Sequence, residues 1–288
     1  MDKKQPPNAS MKGKRVIVTG PTSGFGKEIA LQLAAMGADV VLACRDVNLG
    51  AQVADEIAQQ TGAKNCTVMH IDTSDQRSIH EFARQYREKW SRLDVLVNNA
   101  GINRSKRQTS ADGIELTFAT NVLGYFLLTR DLLDLLRASA PSRIINVAST
   151  YASDLDLADL QFQRRAYEGR KAYAQSKACD RMLTWAFARR LEGSGVTANA
   201  MAPGLVVQTG LYRDASPAVK LLMHVLGLFF GRSIAQGADT AIWLASSPEV
   251  ESLNGKFFDQ RREIPCKFRN TMAEEKLWRI CEELTGKG

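Results

Sequence analysis

Arg15-Val16-Ile17-Val18-Thr19 is a short β-rich apolar run that leads directly into Gly20-Pro21-Thr22-Ser23-Gly24-Phe25-Gly26 and an amphipathic stretch ending at Met36-Gly37. Strand, glycine-rich turn, helix is the context in which a glycine pattern signals a dinucleotide site. A helix N-terminus carries about half a positive charge, and glycines let its amides approach a pyrophosphate closely. The spacing is G-x-x-x-G-x-G rather than G-x-G-x-x-G, so on its own the stretch fits an ordinary structural turn equally well.

The alternation continues. Residues 40–43, 67–71, 95–97, 143–147 and 197–201 read as short apolar strands, with helical periodicity between them at 49–59, 76–90 and 113–136. Repeated strand-then-helix predicts a parallel sheet with helices on both faces. Right-handed crossovers put the strand C-terminal ends, and any ligand, along one edge. No internal repeat, long linker or compositional break interrupts the chain, which predicts one domain over 13–288 ending in a helix around 272–285. Residues 1–12, rich in Lys, Pro, Asn and Ser, read as a disordered tail.

Polar residues gather at the strand ends: Ala43-Cys44-Arg45-Asp46, Asp72-Thr73, Asn98-Asn99-Ala100-Gly101 and Ala148-Ser149-Thr150. At the end of the second strand an acid would bind the ribose of NAD, whereas an arginine accommodates the 2′-phosphate of NADP. Arg45 points to NADP; Asp46, one residue on, points the other way.

Tyr173-Ala174-Gln175-Ser176-Lys177 opens a predicted helix over 172–191. Tyrosine and lysine four apart share one helix face. An ammonium there favours the phenolate, drawing the tyrosine from its usual ~10 toward neutrality. Such a pair can move a proton on or off an alcohol oxygen; alternatively the tyrosine packs in the core while the lysine snorkels to water. Tyr167-Glu168-Gly169-Arg170-Lys171 has the same spacing, but Gly169 and its charged neighbours read as loop. Ala174, Ala178, Met182, Leu183, Ala186, Phe187 and Leu191 recur near a period of 3.6, which selects Tyr173 and Lys177.

Composition narrows the class. The 288 residues are 44% hydrophobic and 24% charged, an ordinary globular balance, with a net charge of +7. Part of that charge is local to Lys3, Lys4, Lys12, Lys14 and Arg15, and no basic run interleaved with aromatics suggests nucleic acid. An anionic cofactor and solubility account for it. Cys44, Cys66, Cys179, Cys266 and Cys281 are odd in number and widely spaced, and His70, His80 and His224 show no ligand spacing. Free thiols in a reducing compartment and no metal are expected. Residues 1–7 lack the apolar core of a signal peptide. The longest apolar run, 219–230, contains Lys220 and His224 and is too short to span a bilayer. A cytoplasmic protein is expected.

With Thr19-Gly20-x-x-x-Gly24-x-Gly26, Asn98-Asn99-Ala100-Gly101, Asn121, Ser149, Tyr173-x-x-x-Lys177 and Pro203-Gly204 in this order, the chain resembles the short-chain dehydrogenase/reductase family over about 13–258. The resemblance implies an α/β Rossmann fold, a doubly wound seven-stranded parallel sheet with helices on both faces, and nicotinamide chemistry. It implies Tyr173 as general acid/base, Lys177 lowering its pKa while holding the nicotinamide ribose, Ser149 bonding the reacting oxygen, and Asn121 holding a water that links Lys177 to solvent. Gly20, Ser23, Gly24, Phe25 and Gly26 would cradle the phosphates. Arg45 would face the 2′-phosphate, Asp72 the adenine, Asn99 the adenosine ribose and Val206 the carboxamide. NAD-using members carry their acid at the position of Cys44, so the resemblance implies NADP(H).

The 24 residues from Ser149 to Tyr173, the added loop over 151–171, the 43–46 strand end and the ending Glu283-Leu284-Thr285-Gly286 resemble the retinol dehydrogenase and protochlorophyllide reductase-like branch. Pro21 departs from the Gly or Ala usual there and removes one amide from the turn. After Pro203-Gly204 the family places a variable segment over the substrate. Here 217–230 is apolar almost all round, with Lys220, His224 and Gly227 on one side. It reads as a lid, within 205–232, over an apolar substrate; a docked helix, a subunit contact or a membrane-surface element are the alternatives. The expected reaction moves a hydride between NADP(H) and a ketone, aldehyde or alcohol. A cofactor-assisted dehydratase or epimerase, or a non-catalytic NADP-binding regulator, are competing readings; Tyr173, Lys177 and Ser149 together count against the regulator. Pairing through the helices from about 113 and 172 predicts a homodimer or homotetramer.

Overall fold

A computed structural model of the chain describes residues 10–153, 155–206 and 231–286. The expected lid at 217–230 therefore lies outside the described residues, as do residues 1–9 of the expected tail. Met11, within the expected tail, is buried, and its amide donates to the Met36 carbonyl at 2.9 Å.

Seven strands lie parallel: β1 (Arg15–Thr19), β2 (Asp39–Cys44), β3 (Cys66–His70), β4 (Val95–Asn98), β5 (Ser142–Val147), β6 (Val196–Ala202) and β7 (Phe257–Asp259). Their spatial order is β3-β2-β1-β4-β5-β6-β7, with the reversal between β1 and β4 that creates a ligand crevice. An eighth strand corrects the expected count. β8 (Arg262–Glu263) runs antiparallel to β7 after a two-residue turn in which Gln260 and Arg261 take φ of 50° and 59°. Positive φ at both positions matches the strand twist. The Arg261 guanidinium, paired with Asp239, pins a turn that carries no glycine.

Both sheet faces are buried, and the period of two divides each strand between them. Val16, Val18, Val40 and Leu42 face α1 (Gly24–Ala35), α2 (Val47–Thr61) and α8 (Ile234–Ser246). Ile17, Val41 and Leu96 face α3 (Gln76–Lys89), α7 (Gly169–Arg190) and α9 (Thr271–Thr285). The single helix expected over 113–136 is instead α4 (Leu116–Phe118), a π-helical turn at Ala119–Leu123, α5 (Gly124–Asp131) and α6 (Leu133–Ala138). Glu115 starts it by accepting from the amides of Thr117 and Phe118 at 2.9 and 2.7 Å. A Cβ added at Gly124 would lie 2.4 Å from the Thr73 carbonyl, so the chain passes that loop only as glycine.

α9 packs on α5 and α7, the two helices expected to pair subunits. Trp278 packs edge-on against Phe126 and Phe187, with centroids 4.9 and 4.8 Å away, and Leu277 and Cys281 are fully buried. Among the described residues no helix is long and apolar enough to cross a membrane, and no cluster of metal-ligating side chains occurs. All five cysteines are free thiols.

Candidate active site

A cleft of 510 Å³ opens along the C-terminal ends of the strands, running from the Gly20–Gly26 turn past Arg45 and Asp72 to Tyr173 and Lys177. Its floor is built by close approach. Gly20 and Gly24 take φ of 64° and 54°, and a Cβ on Gly26 would sit 2.2 Å from the Gly20 carbonyl oxygen and 2.5 Å from Asn99 Nδ2. The Asn99 side-chain amide donates to the carbonyls of Thr19 and Gly20 at 2.8 and 3.2 Å, while Thr19 Oγ1 accepts from the amides of Asn99 and Ala100. Asn99 thus clasps β4 to the turn. Ser23 is the N-cap of α1 but makes no side-chain capping bond, which leaves donors of the first helical turn for another acceptor. Phe25 packs its ring on Gly237 of α8, where an added Cβ would come within 2.3 Å of it.

At the end of β2, Arg45 and Asp46 have different surroundings. Asp46 is the N-cap of α2, its Oδ1 accepting from the Leu49 amide at 2.9 Å, so its carboxylate is committed to the helix. Cys44 is buried beside Gly50, and burial, reinforced by Asp46, pushes its thiol up to about 11. Arg45 stands exposed on the cleft wall. Asp72 also lines the cleft, with Oδ1 accepting from the amide and hydroxyl of Ser74 at 2.9 and 2.7 Å.

α7 delivers Tyr173 and Lys177. It starts at Gly169, three residues earlier than its periodicity indicates, and a Cβ on Gly169 would lie 2.1 Å from the Arg104 carbonyl oxygen. Tyr173 is partly buried. Ser149 Oγ accepts from the Tyr151 amide at 3.0 Å and hydrogen-bonds the Tyr173 side chain. Lys177 is almost fully buried, donating to the Val147 carbonyl at 2.9 Å and to Asp180 Oδ2 at 2.8 Å.

Burial pushes the Tyr173 pKa above the ordinary tyrosine value, the Ser149 hydrogen bond opposes this, and the Asp180 carboxylate adds to the effect of burial. The Lys177 ammonium lies 5.9 Å from the Tyr173 ring centroid and is turned to Asp180, which offsets its field.

Asn121 sits in the π-helical turn, fully buried. Its Oδ1 accepts from the Ile102 amide, and its Nδ2 donates to the Ile102 carbonyl and to Ser176 Oγ, at 2.9, 3.0 and 2.9 Å. Its side chain braces the loop after β4 against α7 from behind the cleft rather than lining it. Val206 is buried at the end of a described segment, outside the cleft lining.

Three site residues escaped the sequence reading. Tyr125 of α5 lies with its ring centroid 5.3 Å from Lys177 Nζ. Arg181 is clamped over the Phe257 ring at 3.9 Å and donates to the Ser149 carbonyl. Asp180 was marked only by being an acid one turn after Lys177 on an otherwise buried face.

The short chain dehydrogenase family model matches residues 14–220. Mouse retinol dehydrogenase 13 is 39% identical over 296 residues, covering 98% of this chain and 86% of that one. Human retinol dehydrogenase 11 is 40% identical over 278 residues, covering 95% and 86%. Among solved structures, the Pseudomonas aeruginosa RhlG/NADP active-site complex superposes with a TM-score of 0.70 at 27% identity, covering 88% of this chain and 96% of that one.

Proposed function

Because the chain belongs to the short chain dehydrogenase family, and is an oxidoreductase by that membership, we propose that it is an NADP(H)-dependent enzyme interconverting an alcohol and a carbonyl on a largely apolar substrate. The observation that carries the reading is the single cleft joining an uncapped, Cβ-free helix N-terminus to Tyr173 and Lys177. The residues present fit the cofactor: α1 amides beside Gly24 and Gly26 for the pyrophosphate, and the exposed Arg45 for a 2′-phosphate, with the competing carboxylate of Asp46 already spent. Lys177 would hold the nicotinamide ribose. A bound NADP(H) supplies the hydride donor or acceptor.

The chain's own part is proton handling and placement. Tyr173 gives a proton to the carbonyl oxygen in reduction and takes it back in oxidation. Ser149, its lone pair engaged by the Tyr151 amide, donates its own proton toward that oxygen and orients it beside the phenol. The apolar substrate class is supported by the retinol dehydrogenase relatives and by the apolar run at 217–230.

Absorbance at 340 nm with a panel of apolar aldehydes and ketones tests the reading: NADPH should be consumed stoichiometrically with alcohol formed. Arg45→Ala should weaken NADPH by at least ~10-fold while changing NADH little, the scale of a charge-assisted phosphate contact. Equal binding of NADH and NADPH by the unmodified protein would overturn the cofactor assignment.

A further inference from the structure

Asp180 lies one turn beyond Lys177 on α7, with a fully buried side chain whose Oδ2 is 2.8 Å from Lys177 Nζ. Its Oδ1 is buried with no hydrogen-bond partner among the described residues. A carboxylate held in that state is expensive, and an apolar side chain of similar size would fill the space at less cost. The ammonium it faces is buried as well, its other acceptor being the Val147 carbonyl. Resting on the function proposed above, we propose that Asp180 is a positioning residue that keeps Lys177 protonated and pinned beneath Tyr173 at the cleft floor.

The case is a balance of two opposed effects. Burial by itself drives a lysine toward its neutral form, and buried lysines titrate as low as ~5–6. Here burial is outweighed by the Asp180 carboxylate, the larger of two opposing partners, together with Tyr125, and Lys177 is held above its ordinary value. Burial pushes the Asp180 carboxyl up to about 6 against the pull of Lys177, which leaves the pair charged at neutral pH.

Among the described residues, the remaining titratable and charged groups facing the pair are Tyr125 from α5, Tyr173, Cys179 and Arg181 from α7, and Cys281 from α9. Burial pushes both phenols and both thiols upward, so all four are neutral at pH 7, and Arg181 is itself a cation. Asp180 therefore supplies the pair's anionic charge. Without it, Lys177 would be an unpaired cation in the interior and would shed its proton within the working pH range.

Asp180→Asn preserves shape and a hydrogen-bond acceptor while deleting the charge. The ratio of variant to unmodified NADPH turnover should fall at least ~10-fold between about pH 5, where the Asp180 carboxyl of the unmodified protein is itself protonated, and about pH 9, as the unpaired lysine titrates. A ratio that is flat with pH, whatever its absolute level, overturns the proposal, because a carboxylate that merely supports the fold lowers activity equally at every pH.

If the variant does not fold, or no substrate is turned over, lysine 13Cε NMR of the unmodified protein decides the matter. The Lys177 resonance, assigned by its loss in Lys177→Arg, should stay protonated through the range in which exposed lysines titrate. A Lys177 that turns neutral before them overturns the proposal. That titration needs neither substrate nor cofactor, so it stands apart from failure of the oxidoreductase reading, which would appear as no NADPH consumption with any carbonyl tried.

Discussion

Tyr173 and Lys177 share their spacing with Tyr167 and Lys171, and the two pairs have opposite surroundings. Tyr173 lines the cleft in the second turn of α7, with Lys177 buried below it against Asp180. Tyr167 precedes α7 and is tied into a loop junction, its hydroxyl 3.2 Å from both the Arg104 carbonyl and Glu115 Oε1 and 3.3 Å from Thr117 Oγ1. Lys171 points outward and pairs with Glu168 at the surface. Sequence spacing places a tyrosine and a lysine within reach of each other. Whether they form a proton-transfer unit depends on which has room for a substrate and which has its acceptors already supplied by protein.

The largest effect separating the pairs is expected from Tyr173→Phe. Losing a general acid costs ~10²–10⁴-fold, so turnover should fall by at least ~10²-fold while NADPH binding, read by fluorescence titration, changes little. The sign follows from position: the phenol reaches the cleft but carries none of the bonds that hold the Gly20–Gly26 turn together. A nearly active Tyr173→Phe enzyme would break the comparison outright.

The features that could be read without coordinates were those set by periodicity. Two-sided apolar runs located β1 to β6, and the strand–helix alternation put the Gly20 turn, Arg45 and Asp72 along one edge, where they line the cleft; Tyr173 and Lys177 were selected by helical period and by the family resemblance. β7 and β8 were too short, at three and two residues, for any pattern to register. Gly169 and its charged neighbours read as loop from the sequence, yet Gly169 is the first residue of α7 and is glycine because the Arg104 carbonyl lies against it. The cap at Asp46 was legible in principle, as an acid directly before a helical run. The direction of the Lys177 ammonium was not. Helical spacing says which face a side chain shares, but the choice between Tyr173 one turn back and Asp180 one turn on is decided by burial, which the sequence does not print.

A smaller effect, and one of different kind, is expected at the outer tyrosine. Burial, reinforced by Glu115, pushes the Tyr167 hydroxyl up to about 12, so it serves there as a fixed donor. Glu115 is buried and also caps α4, so removing one donor leaves a carboxylate less satisfied. Tyr167→Phe should therefore cost ~1–3 kcal/mol of stability by denaturant unfolding while turnover falls less than ~10-fold. Unchanged stability with abolished turnover would reverse the roles of the two tyrosines.

The smallest effect belongs to Lys171. Its ammonium meets Glu168 at 2.7 Å, but the side chains remain 46% and 52% exposed. Exposed pairs of this kind contribute ~0–1 kcal/mol and are screened by salt, and this one sits in open solvent at the low end of that range. Glu168 is the N-cap residue of α7, where a negative charge is favourable against the helix dipole whether or not a lysine accompanies it. Lys171→Ala should accordingly leave turnover within about twofold and shift the denaturation midpoint barely at all, any residual shift vanishing as salt is raised toward ~1 M. Lys177→Ala, measured beside it, should lose both NADPH affinity and turnover, because on the proposed function its ammonium holds the nicotinamide ribose, and its loss leaves Asp180 a buried carboxylate without its cation. If the two lysine variants behaved alike, burial and the Asp180 contact would not be what distinguishes the pairs, and the assignment of the site to α7's inner face would fall with them.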